Sequence, residues 1–237
     1  MNATQALLRK HIDHYNRALS PENRAARTSL FVANNSARCR YSPSRAEQAT
    51  LHSDVARAST LLKPYRRLHS IPWKFVFVDT ACELENNFPH THAHTIFLPS
   101  MYFSMSTQQR VKLLIHEKTH VFQRYYPILH NKIVLHHIGY AVHGYLPSHP
   151  DFARVRTNPD TNDIIYSRNR TYVLPILEEH ATRLSDVRVV RYSAETDRRA
   201  PNRGPGYKAE HPNEALAYYL EERIPKRTVA PEIAALL

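Results

Sequence analysis

The chain has 237 residues, enough for one sizeable core or for one catalytic domain with a smaller annex. Hydrophobic residues at 42% and charged residues at 22% exclude a disordered chain, and four glycines without a Walker or dinucleotide pattern argue against a phosphate-cradling loop. The net charge of +11 admits nucleic acid or another polyanion, yet the arginines scatter through 9–70 and 183–203, so a solvated basic surface serves equally well.

In chain order, residues 2–18 and 44–62 predict helices, with breaks at Pro21 and in SARCRYSPS. The first of these is amphipathic and lacks the apolar centre of a secretory signal. No apolar run approaches the roughly 18 residues of a membrane span. The expectation is therefore an intracellular protein whose two cysteines, Cys39 and Cys82, are reduced thiols. Trp73–Asp79 alternates aromatics with other residues and predicts a strand; His94–Leu98, closed by Pro99, predicts a second. His90, His92 and His94 would share one face of an extended segment, as a separate metal site, as cleft lining, or as ordinary exposed histidines. Ser106 and Gln109 form a capping-box pattern, opening a helix that Pro127 must end near Tyr126. Residues 127–170 show no clean period. A further helix is expected across Pro175–Val190, then a basic, turn-rich loop over 196–208, then a helix opening at Pro212 and running through NEALAYYLEER.

The helix over 107–126 carries the chemistry. At about 100° per residue, Val111, Leu114, Ile115 and Phe122 form a core-facing stripe. His116 and His120 lie about 40° apart on the opposite side, one turn above the other, so two imidazoles can converge on one ion. Glu117 lies on the neighbouring flank, where its carboxylate can take a proton from a metal-held water and return it to a leaving amine. Lys118 falls on the apolar stripe, with its stem expected to pack while its ammonium reaches out. The bland alternative is a pair of surface histidines flanking a solvated glutamate.

A hydrolytic zinc site needs a third protein ligand and an open position for water. His116-Glu117-Lys118-Thr119-His120 resembles the zincin metallopeptidase motif, and His211-Pro-Asn-Glu-Ala-Leu-Ala-Tyr-Tyr-Leu-Glu221 resembles the second motif of its gluzincin branch. The resemblance makes Glu214 the third ligand beside His116 and His120. The order ENNFPHTHAHTIFLP, HEKTH, HPNEALAY also resembles small uncharacterised zincin-like proteins of large DNA viruses, which would allow a virion-associated location. The sequence departs from the branch in three ways. The gap between His120 and Glu214 is long, Lys118 stands where leucine is usual, and Tyr218 stands where some relatives carry an aspartate that partners the metal site. The residues themselves leave Glu214 open as a helix cap, with Glu178 or Glu179 as the ligand instead. Tyr166, His137, His143 and Arg156 are candidates to stabilise an oxyanion, with nothing to choose among them.

The expected fold is α+β. It comprises a helical annex over 1–70 and a zincin-like core over 71–237 with a small mixed sheet, an active-site helix and an inserted segment around 127–210. The expected function is a zinc-dependent metallopeptidase acting on peptide or protein substrates, with the peptide paired along an edge strand at 90–98. A basic structural or nucleic-acid-associated protein that keeps the fold without turnover is the second reading, and a protease of DNA-bound proteins lies between the two.

Overall fold

The computed structural model describes residues 19–27, 39–200 and 211–237. The helix expected over 2–18 lies outside them, as does most of the expected loop over 196–208. A short helix α1 (Pro21–Ala25) is capped by Ser20 and started by Pro21. Ser44 and Glu47 exchange side-chain and backbone hydrogen bonds in a capping box that opens α2 (Arg45–Leu62), and α3 (Arg66–Ser70) follows. Strand β1 (Phe75–Val78), strand β2 (His90–His92) and strand β3 (Thr95–Pro99) come next.

These three strands form one mixed sheet in the order β1-β3-β2, parallel between β1 and β3 and antiparallel between β2 and β3. The expected edge segment over 90–98 is two strands, of which β2 is the edge and Thr95–Pro99 is central. Ala93, in the left-handed region at φ 51°, turns the chain between β2 and β3. That turn breaks the single extended face expected for the three histidines. His90 stacks on Phe97 at 5.0 Å and His94 lies against Tyr125 at 4.0 Å.

Helix α4 (Thr107–Tyr125) opens with the predicted Ser106/Gln109 capping box. Its apolar stripe enters a core built from Leu51 and Leu62 of α2, Leu68 of α3, and Leu114, Ile115 and Phe122 of α4 itself. A buried ion pair, Arg110 Nε to Asp54 Oδ2 at 2.6 Å, ties α4 to α2. Every residue from Leu114 to Gln123 is buried, so α4 is a central helix and its histidines are not surface groups. Lys118 is 1% exposed and its ammonium does not reach out. Nζ donates to the Ile71 carbonyl at 2.5 Å and sits 3.8 Å from the Trp73 ring centroid.

Beyond α5 (Pro127–Lys132) the chain builds two antiparallel ribbons. The first is β4 (Ala141–Tyr145) with β5 (Ile164–Ser167), the second β6 (Thr171–Leu177) with β7 (Val187–Ser193). The helix expected across Pro175–Val190 is thus a hairpin. Its turn is fixed by Asp186, whose carboxylate accepts the N–H groups of Thr182 and Arg183 at 3.0 Å each. Helix α6 (Pro212–Arg223) lies against α4 and adds Leu216 and Leu220 to the shared core, and α7 (Pro231–Ala234) follows.

Cys39 and Cys82 are joined in a disulfide beside Val76, Val78, Leu84 and Phe97, which overturns the expectation of reduced thiols. Among the described residues no helix is long and apolar enough to cross a membrane.

Candidate metal centre

Helix spacing on α4 and the packing of α6 across it bring three ligand-type side chains together. One donor atom from each of His116, His120 and Glu214 falls within 4.8 Å of the others, and all three residues are buried. The two Nε2 atoms lie 3.1 Å apart. Glu214 Oε2 is 3.4 Å from His116 Nε2, and Oε1 is 3.7 Å from His120 Nε2. The cap of α6 is His211, whose Nδ1 accepts the Asn213 N–H at 3.2 Å, so Glu214 does not serve as the cap. Its carboxylate instead accepts Asn158 Nδ2 at 2.9 Å and faces the imidazoles. Glu178 and Glu179 are exposed at the β6 hairpin turn and take no part in the cluster.

The other nitrogen of each ring is tied down. His116 Nδ1 meets Glu221 Oε2 at 2.9 Å, and His120 Nδ1 meets Gln123 Oε1 at 3.1 Å. Gln123 is oriented by its own donation to the Asn213 carbonyl at 2.9 Å. A carboxylate and an amide oxygen only accept, so both rings carry a proton on Nδ1 and turn the Nε2 lone pair inward. Two such lone pairs and a carboxylate facing one point repel each other unless a cation stands between them. That donor set, two imidazoles and one carboxylate, could hold a divalent metal ion. The same demand appears in the protonation of the metal-free residues. Burial opposes charge on His116, yet the carboxylates of Glu214 and Glu221 overcome it and push the imidazole up to about 10. Burial would likewise raise Glu214, but His120 and His116 hold its carboxyl down to about 2.

Glu117 is 2% exposed and its Oε2 has no hydrogen-bond partner. Burial, reinforced by the charge of Asp160, lifts its carboxyl well above the ordinary carboxylate range. A buried carboxyl oxygen without a partner costs stability.

These side chains open into a cleft of about 430 Å³ whose walls include His116, Glu117, Glu214, Tyr218, Arg156 and Asp160. Tyr218 sets its ring edge-on to His116, with centroids 4.8 Å apart. Of the oxyanion candidates only Arg156 reaches this cleft. Tyr166 packs on His211, His143 pairs with Asp197 at 2.7 Å, and His137 does not line the cleft. Compared with protein-family models, curated proteins and solved structures, the chain matches none. The candidate metal centre therefore rests on its own geometry.

The edge strand does not offer itself for pairing as expected. Thr91 is the outward-facing residue of β2, and its N–H already donates to Asp160 Oδ1 at 3.0 Å. Its carbonyl accepts Arg124 at 3.4 Å, and Arg124 also holds the Pro159 carbonyl at 2.7 Å. The 157–160 segment is thus the second wall of the cleft.

Sequence reasoning passed over Glu221, Gln123, Asn158 and Asp160. Glu221 was legible: it follows Glu214 by two helical turns and so shares its face. Gln123, one turn after His120, was equally so. Asn158 and Asp160 lie in a loop with no periodicity and carried no signal.

Proposed function

We propose that this protein is a zinc-dependent metallopeptidase. The observation that carries the reading is the pair of inward-turned Nε2 atoms, 3.1 Å apart beside Glu214, with both Nδ1 atoms fixed by Glu221 and Gln123. Zinc held by His116, His120 and Glu214 would acidify a water and polarise a substrate carbonyl. Glu117 lines the same cleft next to His116 and has a buried Oε2 without a hydrogen-bond partner, which suits it to accept the water's proton and return it to the departing amine. Arg156 is the cleft's arginine and can face the carbonyl oxygen as negative charge develops on it. The choice of zinc over other divalent ions follows from the two-imidazole, one-carboxylate set, and the choice of peptide bonds follows from the resemblance of the two motifs.

The test is a paired substitution read for metal and rate together. Purified protein is expected to carry about one zinc per chain and to cleave an unstructured protein such as casein. Glu117→Gln should keep the zinc and lose roughly 10²–10⁴-fold in rate, the usual effect of removing a general base. Glu214→Gln should lose affinity for the metal as well. Equal activity in the wild type and Glu117→Gln would remove Glu117 from the mechanism. Full zinc occupancy in His116→Ala/His120→Ala would remove the site.

A further inference from the structure

A second cleft has the opposite character to the metal-bearing one. The metal cleft is lined by the carboxylates of Glu85, Glu117, Asp160, Glu214 and Glu221. The second, of about 350 Å³, lies between the two ribbons and the start of α6, and among its described lining residues there is no aspartate or glutamate. It presents Arg168 and Arg191 together with Tyr140, Tyr166 and His211. The Arg168 guanidinium stands 5.6 Å from the Tyr140 ring centroid, a cation beside an aromatic face. The edge-on contact of Tyr166 with His211, at 5.2 Å, continues the aromatic lining.

The backbone positions Arg168. Arg168 and Thr171 pair across a two-residue hairpin turn, with N···O distances of 2.7 and 3.1 Å. The central residues are Asn169 at φ 53° and Arg170 at φ 59°, both left-handed. Turns of this type favour glycine at the second position, and a side chain with a Cβ there costs on the order of 1 kcal/mol. The tip carries arginines at 168 and 170, both exposed, with Arg170 paired to Glu195, also exposed, at 3.5 Å. The turn sets its first residue, Arg168, in the lining of the cleft.

We infer that this cleft binds single-stranded nucleic acid, with Arg168 and Arg191 on phosphate and Tyr140 stacked on a base. Guanidinium groups match phosphate geometry, and tyrosine faces accept any unstacked base. A concave site of this size takes a splayed nucleotide, whereas a duplex keeps its bases stacked inside. The inference is independent of peptidase activity and gives part of the +11 charge a specific place.

Fluorescence anisotropy of a labelled oligonucleotide of about 12 residues, titrated with protein across a range of salt concentration, tests it. Binding is expected at about 50 mM salt, with logarithmic affinity falling linearly against logarithmic salt. Arg168→Ala should weaken binding and lower the magnitude of that slope by about 1, the signature of one lost phosphate contact. Tyr140→Ala should cost roughly 5- to 150-fold, the range for losing one base stack. Arg188→Ala removes the same charge from an exposed position on β7 outside the cleft and should change neither quantity. Unchanged circular dichroism and melting temperature certify that each variant is folded. Three outcomes overturn the inference: no binding at that salt, duplex bound as tightly as single strand, or Arg188→Ala weakening binding as much as Arg168→Ala.

Discussion

Lys118 lies on the core side of the helix whose other face holds the candidate ligands His116 and His120. A lysine 1% exposed is rare unless paired, and here its partners are a carbonyl and an indole ring rather than a carboxylate. Burial pulls its ammonium down to about 8 from the ordinary lysine value near 10.5. Holding it charged at neutral pH therefore costs on the order of 3 kcal/mol. The sign follows from linkage. Between about pH 8 and 10.5 the unfolded chain binds more protons than the folded one, so stability rises as pH climbs through that window and is flat below it. Lys118→Met should remove this rise. At pH 7 it should stabilise the fold by up to about 3 kcal/mol, less the roughly 1–2 kcal/mol lost by leaving the Ile71 carbonyl unpaired. Urea unfolding of chelator-treated protein at pH 7 and 9.5, in wild type and variant, measures both. An identical pH response in the two proteins would mean that Lys118 is not held as a buried ammonium.

The chemistry depends on two helices, α4 and α6, and both were legible in the sequence. The capping box at Ser106, Pro127 as a stop, and Pro212 at a first helical position gave their bounds almost residue for residue. The ribbon β6–β7 was not legible. Leu177-Glu-Glu-His-Ala-Thr-Arg-Leu is composed of helix formers, and Pro175 looked like a helix start. The run is instead interrupted by His180 at φ 62° and by Asp186, which caps the turn. Pro175 is tolerated in β6 because this is a two-stranded ribbon, where a missing donor can face outward. Within α6 the unexpected part is Glu221, two turns past Glu214, which takes the partner role that the sequence left vacant at Tyr218. Glu221→Gln keeps an acceptor for His116 Nδ1 but removes the charge. It should lower zinc affinity about 10- to 100-fold, the usual effect of disturbing a metal ligand's own partner. Competition against a chromophoric chelator reads this directly. Glu222→Gln is the control, because Glu222 points instead to Lys112 and Lys226 and should leave affinity unchanged.

At the scale of the whole molecule, the Cys39–Cys82 bond closes a loop of 43 residues that holds α2, α3 and β1 together behind the metal-bearing helix. Backbone pairing reinforces it. Asp79 donates to the Cys39 carbonyl at 3.2 Å and Tyr41 to Phe77 at 3.4 Å, so residues 39–41 run along the outer edge of β1. The thiols that the sequence suggested would be reduced are therefore a clamp, and forming it requires an oxidising compartment or oxidant. That removes the cysteine argument for an intracellular location. Two cysteines in a chain of this length gave no pattern from which the pairing could be read; only the sheet brings them together. A cross-link over this loop constrains the unfolded chain by about 4 kcal/mol, which for a protein of this size corresponds to a melting shift of roughly 8–16 °C. Cys39→Ser/Cys82→Ser, or wild type in reductant, should melt lower by that amount. At 25 °C both should keep the zinc proposed above, because His116, His120 and Glu214 are positioned by α4 and α6, which the loop backs but does not contain. A scan with and without reductant, followed by metal analysis of the same samples, separates the two effects. An unchanged melting temperature would show that the bond contributes nothing to the fold. Zinc lost on reduction would show that the metal helix depends on the clamp behind it.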